Sequence, residues 1–382
     1  MDRQRIVNLL AAIAAITVFG FTFGLMFPLI SLIMESRGIP SQWIGYNAAM
    51  HPLGIVLSIF VIPYVVRRFG AKRAVIGAAL LTGAVIVSYP FFPVFWWWFG
   101  FRVLQGFFVS ILFAISEAWI VRFSEGAWRT RILAIYTSIL ALSFGGGPAI
   151  IGFTGIEGAL PFLVGGAVLL AAIIPIFFVR DEEVDSDDET PLSVLAFAKK
   201  APILLFAVGM FAILDAANLS FLPVYAVKKG FSQDMAAFAL TAFVLGNTVL
   251  QFPIGWLADH FPKRWVMVGC GVLSGTCSFL VPMVFGTWAL WPVLTVMGAT
   301  AAGIYTVALA ELGERFSGHE LVTGTASFST MWGVGALVGS LAAGWSIAGF
   351  GPDGLPFTMA AVFAVFIISA IVSALKERQQ PA

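Results

Sequence analysis

The sequence predicts an all-α integral membrane protein of twelve transmembrane helices in two pseudo-symmetric six-helix bundles. Three observations carry that expectation. The first is composition: 60% of residues are hydrophobic, 11% are charged and the mean hydropathy is +0.97, whereas a soluble domain carries roughly 25% charged residues. The second is charge placement, with uncharged stretches from Arg5 to Glu35 and from Arg37 to Arg67, each longer than the roughly 20 apolar residues that cross a bilayer. The third is an internal repeat. Shifted by 192 residues, Leu53-Gly54 falls on Leu245-Gly246, Phe69 on Phe261, Lys72 on Arg264, Gly106 on Gly298, Gly147 on Gly339 and Gly152 on Gly344. A register held through several segments marks a duplicated unit, and the shared glycines point to close helix contacts in both copies. In a chain this apolar, duplication is a transporter design with the working site between the halves.

The spans follow in order. Span 1 (6–34) lies between Arg5 and Glu35 and has no small-residue cleavage site, so it is expected to be retained. Span 2 (42–66) runs to Arg67, and spans 3 (74–90) and 4 (94–121) are joined only by Tyr89-Pro90-Phe91-Phe92-Pro93. Spans 5 (132–151) and 6 (159–179) complete an N-terminal bundle over 1–179. An acidic run, Asp181 to Glu189, lies in a linker over 180–201, and Pro191 to Lys200 could form a short surface helix. The C-terminal bundle, 202–382, holds spans 7 (202–226), 8 (235–258), 9 (265–285), 10 (289–312), 11 (322–346) and 12 (355–375), with Gly286-Thr287-Trp288 dividing 9 from 10. Helices are expected because lipid leaves backbone groups no other partners and the short alternation of barrel strands is missing.

Basic residues set the orientation. Arg3, Arg5, Arg67, Arg68, Lys72, Arg73, Arg122, Arg129, Arg131, Arg180, Lys199, Lys200, Lys263, Arg264, Arg315, Lys376 and Arg378 fall on one side, against Arg37, Lys228 and Lys229 on the other. Both termini and the linker are therefore expected in the cytoplasm, and the chain in the cell inner membrane. The net charge of +1 gives no reason to expect a nucleic-acid partner. Cys270 and Cys277, seven apart on one span, read as packing residues rather than a disulfide or metal framework.

Ionisable and amide side chains inside the membrane locate the interior. They are Asn47 and His51 on span 2, Arg102, Gln105 and Glu117 on span 4, Asp215 and Asn218 on span 7, Asn247 and Gln251 on span 8, and Glu311 at the end of span 10. Spans 3, 6, 9 and 12 hold no interior group of this kind, which makes them outer supports. Asn47, His51 and Ser58 form a stripe on one helix face; Arg102 with Gln105, Asp215 with Asn218, and Asn247 with Gln251 share faces too. Such groups serve either as interhelical hydrogen bonds or as the transport site. Asp215, mid-span, is the candidate proton carrier, with Arg102 at a comparable depth and His51 next in line.

On these residues the chain resembles the major facilitator superfamily over nearly its whole length. That family's loop signature, Gly-x-x-x-Asp-Arg-x-Gly-Arg-Lys/Arg, is kept in part as Gly255-Trp256-Leu257-Ala258-Asp259-His260-Phe261-Pro262-Lys263-Arg264. The first copy has Pro63 for the glycine and Arg67 for the aspartate. The resemblance implies that Asp259 acts as a gating latch with Lys263 and Arg264, a part Arg67 cannot play. Arg102-Val103-Leu104-Gln105-Gly106 is similar to the element tied to proton coupling. Gly145-Gly146-Gly147-Pro148-Ala149-Ile150-Ile151-Gly152 is similar to the antiporter motif of drug exporters, with Ile151 for one glycine; a kinked, closely packed helix explains Gly147, Pro148 and Gly152 equally. Glu117 with Arg122 and Glu311 with Arg315 match gating pairs at helix ends.

The resulting expectation is a drug/proton antiporter-like secondary transporter, exporting small amphipathic molecules by alternating access and functional as a monomer. Proton-coupled uptake of an organic anion or metabolite, steered by Arg102 and His51, is the alternative within transport. A non-transporting receptor or scaffold would have no use for the cost of buried ionisable groups. No cofactor or enzyme activity is expected: the sequence shows no Gly-x-x-x-x-Gly-Lys-Ser/Thr loop, metal-ligand cluster or nucleophile–base pairing, so the energy must come from a gradient, here of protons, or from a separate subunit.

Overall fold

The computed structural model describes residues 3–123, 129–178, 194–316 and 318–378, so the acidic run from Asp181 to Glu189 lies outside the described residues. The described chain is helical, with no strand. The helices are α1 (Arg3–Ser36), α2 (Ser41–Ile59), α3 (Ile62–Phe69), α4 (Ala71–Ser88), α5 (Phe95–Phe123), α6 (Arg129–Thr154), α7 (Leu160–Phe177), α8 (Val194–Lys200), α9 (Pro202–Lys228), α10 (Gln233–Val249), α11 (Gln251–His260), α12 (Lys263–Val284), α13 (Leu290–Arg315), α14 (Gly318–Phe350) and α15 (Gly354–Arg378), with a tight turn at Tyr89–Phe91 after α4. Among the described residues, ten helical stretches are long and apolar enough to cross a membrane, and the bent pair α2–α3 makes an eleventh. The twelfth expected span is α6, whose apolar part runs over Ser138–Thr154.

Two expected continuous spans are broken, and proline explains both. Span 2 divides into α2 and α3 with a 57° bend. Pro63, in the first turn of α3, has no N–H to offer the carbonyl of Ile59, where α2 ends, and its ring crowds that carbonyl. Span 8 divides at Leu250, just ahead of Pro253 in the first turn of α11. The turn after α3 is made by Gly70 at φ +80°, a conformation that favours glycine, and opens directly into α4.

The chain forms two compact units, one of Met1–Gly38 with Asn47–Asp187 and one of Ile39–Tyr46 with Asp188–Ala382. Each is built around the same crossing. In the first, a Cβ on Gly54 would lie 2.1 Å from the Val103 carbonyl oxygen, and one on Gly106 would lie 2.0 Å from that of His51. In the second, a Cβ on Gly246 would lie 1.9 Å from the Thr295 oxygen, and one on Gly298 would lie 1.9 Å from that of Phe243. All four pairs keep the 192-residue register. Two backbones therefore touch where α2 meets α5 and again where α10 meets α13, and only glycine fits there. The α1–α6 and α9–α14 crossings repeat similarly: Gly20 faces the Ser143 side chain, and Gly335 faces that of Ala212.

The four outer helices are dressed for lipid. Leu80 and Leu81 on α4, Leu163, Leu170 and Ile174 on α7, Leu273 and Phe279 on α12, and Phe357, Val365 and Ile368 on α15 are exposed. Without competing polar groups these faces need no water. Cys270 and Cys277 are buried free thiols. At the tail of the expected linker, α8 packs Phe197 against Phe316, with ring centroids 5.1 Å apart.

Candidate functional site

In the first unit, α2 and α5 bring four of the expected residues together. Asn47, His51, Arg102 and Gln105 are all fully buried. The close crossing at Gly54 and Gly106 sets His51 and Asn47 beside the Arg102 turn. Arg102 Nε donates to Asn47 Oδ1 at 3.2 Å, and its Nη2 donates to the Phe27 carbonyl at 3.4 Å. The guanidinium also lies over the Phe27 ring, 5.0 Å from its centroid. The Tyr89 hydroxyl donates to Gln105 Oε1 at 3.5 Å. His51 is held edge-on between Phe23 and Phe27, at centroid distances of 4.6 and 4.9 Å. No carboxylate among the described residues pairs with Arg102. Further along the stripe, the hydroxyls of Ser58 and Ser110 hydrogen-bond to each other.

The second unit leaves its acid unbonded to its amides. Asp215 sits at the middle of α9, half-buried, with no hydrogen-bond or ion-pair partner among the described residues. Asn218 is buried and turns its amide back on its own helix, donating to the Leu214 carbonyl at 2.9 Å. Gln251 is fully engaged toward α13: its Nε2 donates to Asn247 Oδ1 at 3.4 Å and to the Ala299 carbonyl at 3.3 Å, while its Oε1 accepts from Thr306 at 2.8 Å. The Asn247–Gln251 pair thus ties α10 and α11 to α13. It makes no bond to Asp215, so the carboxyl is not a strut between α9 and its neighbour.

The basic end of the second unit carries a charge network. Glu311 Oε1 accepts from Arg315 Nη1 at 3.0 Å and lies 3.5 Å from Arg264 Nε. Lys263 Nζ pairs with Glu314 at 2.7 Å. Lys200, ending α8, pairs with Glu320 on α14. Asp259 is exposed, outside this network and without an ion-pair partner among the described residues; Arg67 in the first unit is exposed as well. Glu117 is exposed on α5, and the side chain of Arg122 lies outside the described residues. The antiporter-like glycine Gly147 has a packing duty: a Cβ there would fall 2.2 Å from the Leu25 nitrogen, and one at its repeat Gly339 would fall 2.2 Å from the Ile213 oxygen. Pro148 beside it is buried inside α6, and Gly152 is half-buried one turn on.

Arg67→Asn is expected to slow transport less than Asp259→Asn at equal expression, because only the second copy of the loop retains a carboxylate. Equal losses from the two variants would remove that asymmetry.

Several partners escaped the sequence reading. Tyr89 sits in a Tyr-Pro turn at a span end, where a tyrosine reads as an interfacial anchor. Thr306 is one hydroxyl among many in apolar helices. Glu314, three residues after Glu311, could have been found from its spacing to the basic loop.

The sequence profile of the Major Facilitator Superfamily matches residues 12–238 and again residues 204–382. The chain belongs to this superfamily of membrane transporters. It is 24% identical over 343 residues to the MFS-type transporter YfkF of Bacillus subtilis, covering 88% of this chain and 87% of that one. To the MFS-type transporter YcaD of Escherichia coli it is 22% identical over 352 residues, covering 91% and 90%. Among solved structures, the nucleoside transporter NupG superposes with a TM-score of 0.79 at 11% identity, covering 97% of this chain and 99% of that one. A bacterial homologue of the human lysosomal transporter Spinster, inward-facing and unoccupied, gives 0.76 at 14% identity over the full length of both chains. These structural likenesses speak for the fold. The protein is accordingly a multi-pass membrane transporter, not an enzyme.

Proposed function

We propose that the chain is a proton-coupled exporter of small amphipathic organic molecules, with Asp215 as the proton carrier. One observation carries the proton: a carboxyl at the centre of a membrane helix with no ion-pair and no hydrogen-bond partner among the described residues. Such a group is costly to keep in a purely structural role, and the only amides expected to tie it down are engaged elsewhere. It is half-buried rather than sealed, so a proton can reach and leave it. The outward direction rests on the likeness of Gly145–Gly152 to the antiporter motif, and the packing of Gly147 against α1 gives those glycines a second use. Uptake is the competing direction.

Inverted vesicles energised in either sense separate the two readings. Labelled amphipathic compounds are expected to accumulate inside inverted vesicles when the lumen is acid, in exchange for protons. Accumulation only in right-side-out vesicles with an acid exterior would reverse the direction and establish uptake. Accumulation indifferent to the proton gradient would end the coupling.

A further inference from the structure

The 192-residue register supplies an internal control for the polar cluster of the first unit. The α2–α5 crossing and the α10–α13 crossing share the same two glycine-to-carbonyl contacts. At the places occupied by Asn47, His51, Arg102 and Gln105 in the first unit, the second has Ala239, Phe243, Leu294 and Met297, all buried. An apolar set therefore holds the same crossing together, and the four polar side chains are not required to build it. The acid of the second unit is displaced likewise: Asp215 stands where the first unit has Phe23.

What the four residues leave unused is lopsided. Arg102 Nη1, Asn47 Nδ2, Gln105 Nε2 and both ring nitrogens of His51 are buried without a hydrogen-bond partner. Asn47 cannot be turned over to relieve this, since its oxygen is needed by the Arg102 Nε–H. Both amide oxygens are already accepting. The remaining capacity is almost all donors, around a guanidinium that stays charged and has no carboxylate partner among the described residues. Each buried group left unpaired costs on the order of 1–3 kcal/mol, and more when charged. The complement of such a set is an acceptor-rich anion. Phe23 and Phe27, flanking His51, give that anion's body an apolar aromatic wall.

We propose that the first unit is the substrate-recognising half, and that Arg102, His51, Asn47 and Gln105 receive the carboxylate of an organic anion with an apolar, aromatic body. This deepens the function proposed above and rests on the reading of the chain as a carrier of organic molecules. The division of labour is then chemical: donors in the first unit hold the anion, and the acid in the second exchanges the proton. Because the four side chains are fully buried here, the carboxylate enters only when α2 and α5 open to one side of the membrane, as alternating access requires.

The test needs no gradient and no knowledge of the natural substrate. Purified full-length protein in detergent, at constant ionic strength, is titrated with sodium benzoate, with neutral benzamide and with sodium chloride while its melting temperature is followed. Benzoate is expected to raise the melting temperature in a saturable way, and benzamide and chloride are not. Asp215→Asn should keep the benzoate response, so a failed proton assay and a failed anion assay are told apart. Arg102→Leu, which installs the residue of the second unit, should remove the response while the protein still folds. If Arg102→Leu does not fold, His51→Phe and Gln105→Met should each weaken the apparent benzoate affinity several-fold. No response to benzoate in the parent, an equal response to chloride, a response retained in Arg102→Leu, or an unchanged affinity in both substitute variants would each overturn the proposal.

Discussion

Asp215→Asn is expected to reduce transport driven by a pH gradient to background while the protein still folds and still exchanges substrate down its own gradient. The asparagine keeps the size of the side chain and its capacity to accept a hydrogen bond, but it cannot gain or lose a proton at any working pH. The structure sharpens this expectation. Were Asp215 bonded to Asn247 or Gln251, the substitution would disturb a helix tie and lower stability and activity together. Instead Gln251 spends its amide on Asn247, Ala299 and Thr306, and Asp215 has no partner among the described residues. Its loss should therefore leave the melting temperature near that of the parent. Comparing gradient-driven uptake with counterflow exchange in the same proteoliposomes checks the separation. Normal pumping with unchanged pH dependence would remove Asp215 as carrier and pass the role to His51. Parallel loss of exchange and thermal stability would make the residue structural after all.

The fold was legible because each of its signals is periodic or long. Uncharged runs between fixed basic residues set the twelve spans, and helix ends differ from the expected ones by a few residues, as with α1, which reaches Arg3 and Ser36. The breaks in spans 2 and 8 were marked by Pro63 and Pro253, but a hydropathy run reads through a proline that does not interrupt it. The membership of the first-unit cluster was legible from helical spacing on α2 and α5. Its partners were not: a backbone carbonyl such as that of Phe27, or a tyrosine at a span end, leaves no trace in spacing. The latch shows a different limit. The motif placed Asp259 beside Lys263 and Arg264 in sequence, while in space those cations turn to Glu314 and Glu311 on α13, because a helix-to-helix distance cannot be read from one loop.

The second large effect concerns the glycines of the repeated crossing. Gly106→Ala and Gly298→Ala should each prevent accumulation of folded protein, and to a similar extent. A single Cβ at Gly106 would lie 2.0 Å from the His51 carbonyl oxygen, and one at Gly298 would lie 1.9 Å from that of Phe243. The opposing atoms are backbone oxygens inside helices, so no side-chain rotation relieves the overlap and the two helices must separate. Overpacking that a core can absorb typically costs about 1–3 kcal/mol; here separation also undoes the neighbouring Gly54 or Gly246 contact, which places the cost above that range. A stability of about 5–15 kcal/mol for a whole protein leaves little margin for such a loss. The same substitution supplies its own control at Gly77 in α4 and Gly269 in α12, where an added Cβ meets nothing within 4 Å. There alanine should be neutral or stabilising by up to about 1 kcal/mol, through helix propensity alone. Size-exclusion profiles and melting curves of the four variants in one detergent decide the matter. Wild-type melting for Gly106→Ala would mean that α2 and α5 do not cross backbone to backbone. A large loss at Gly106 with none at Gly298 would mean that the repeat, though kept in sequence, no longer does the same packing work in both units.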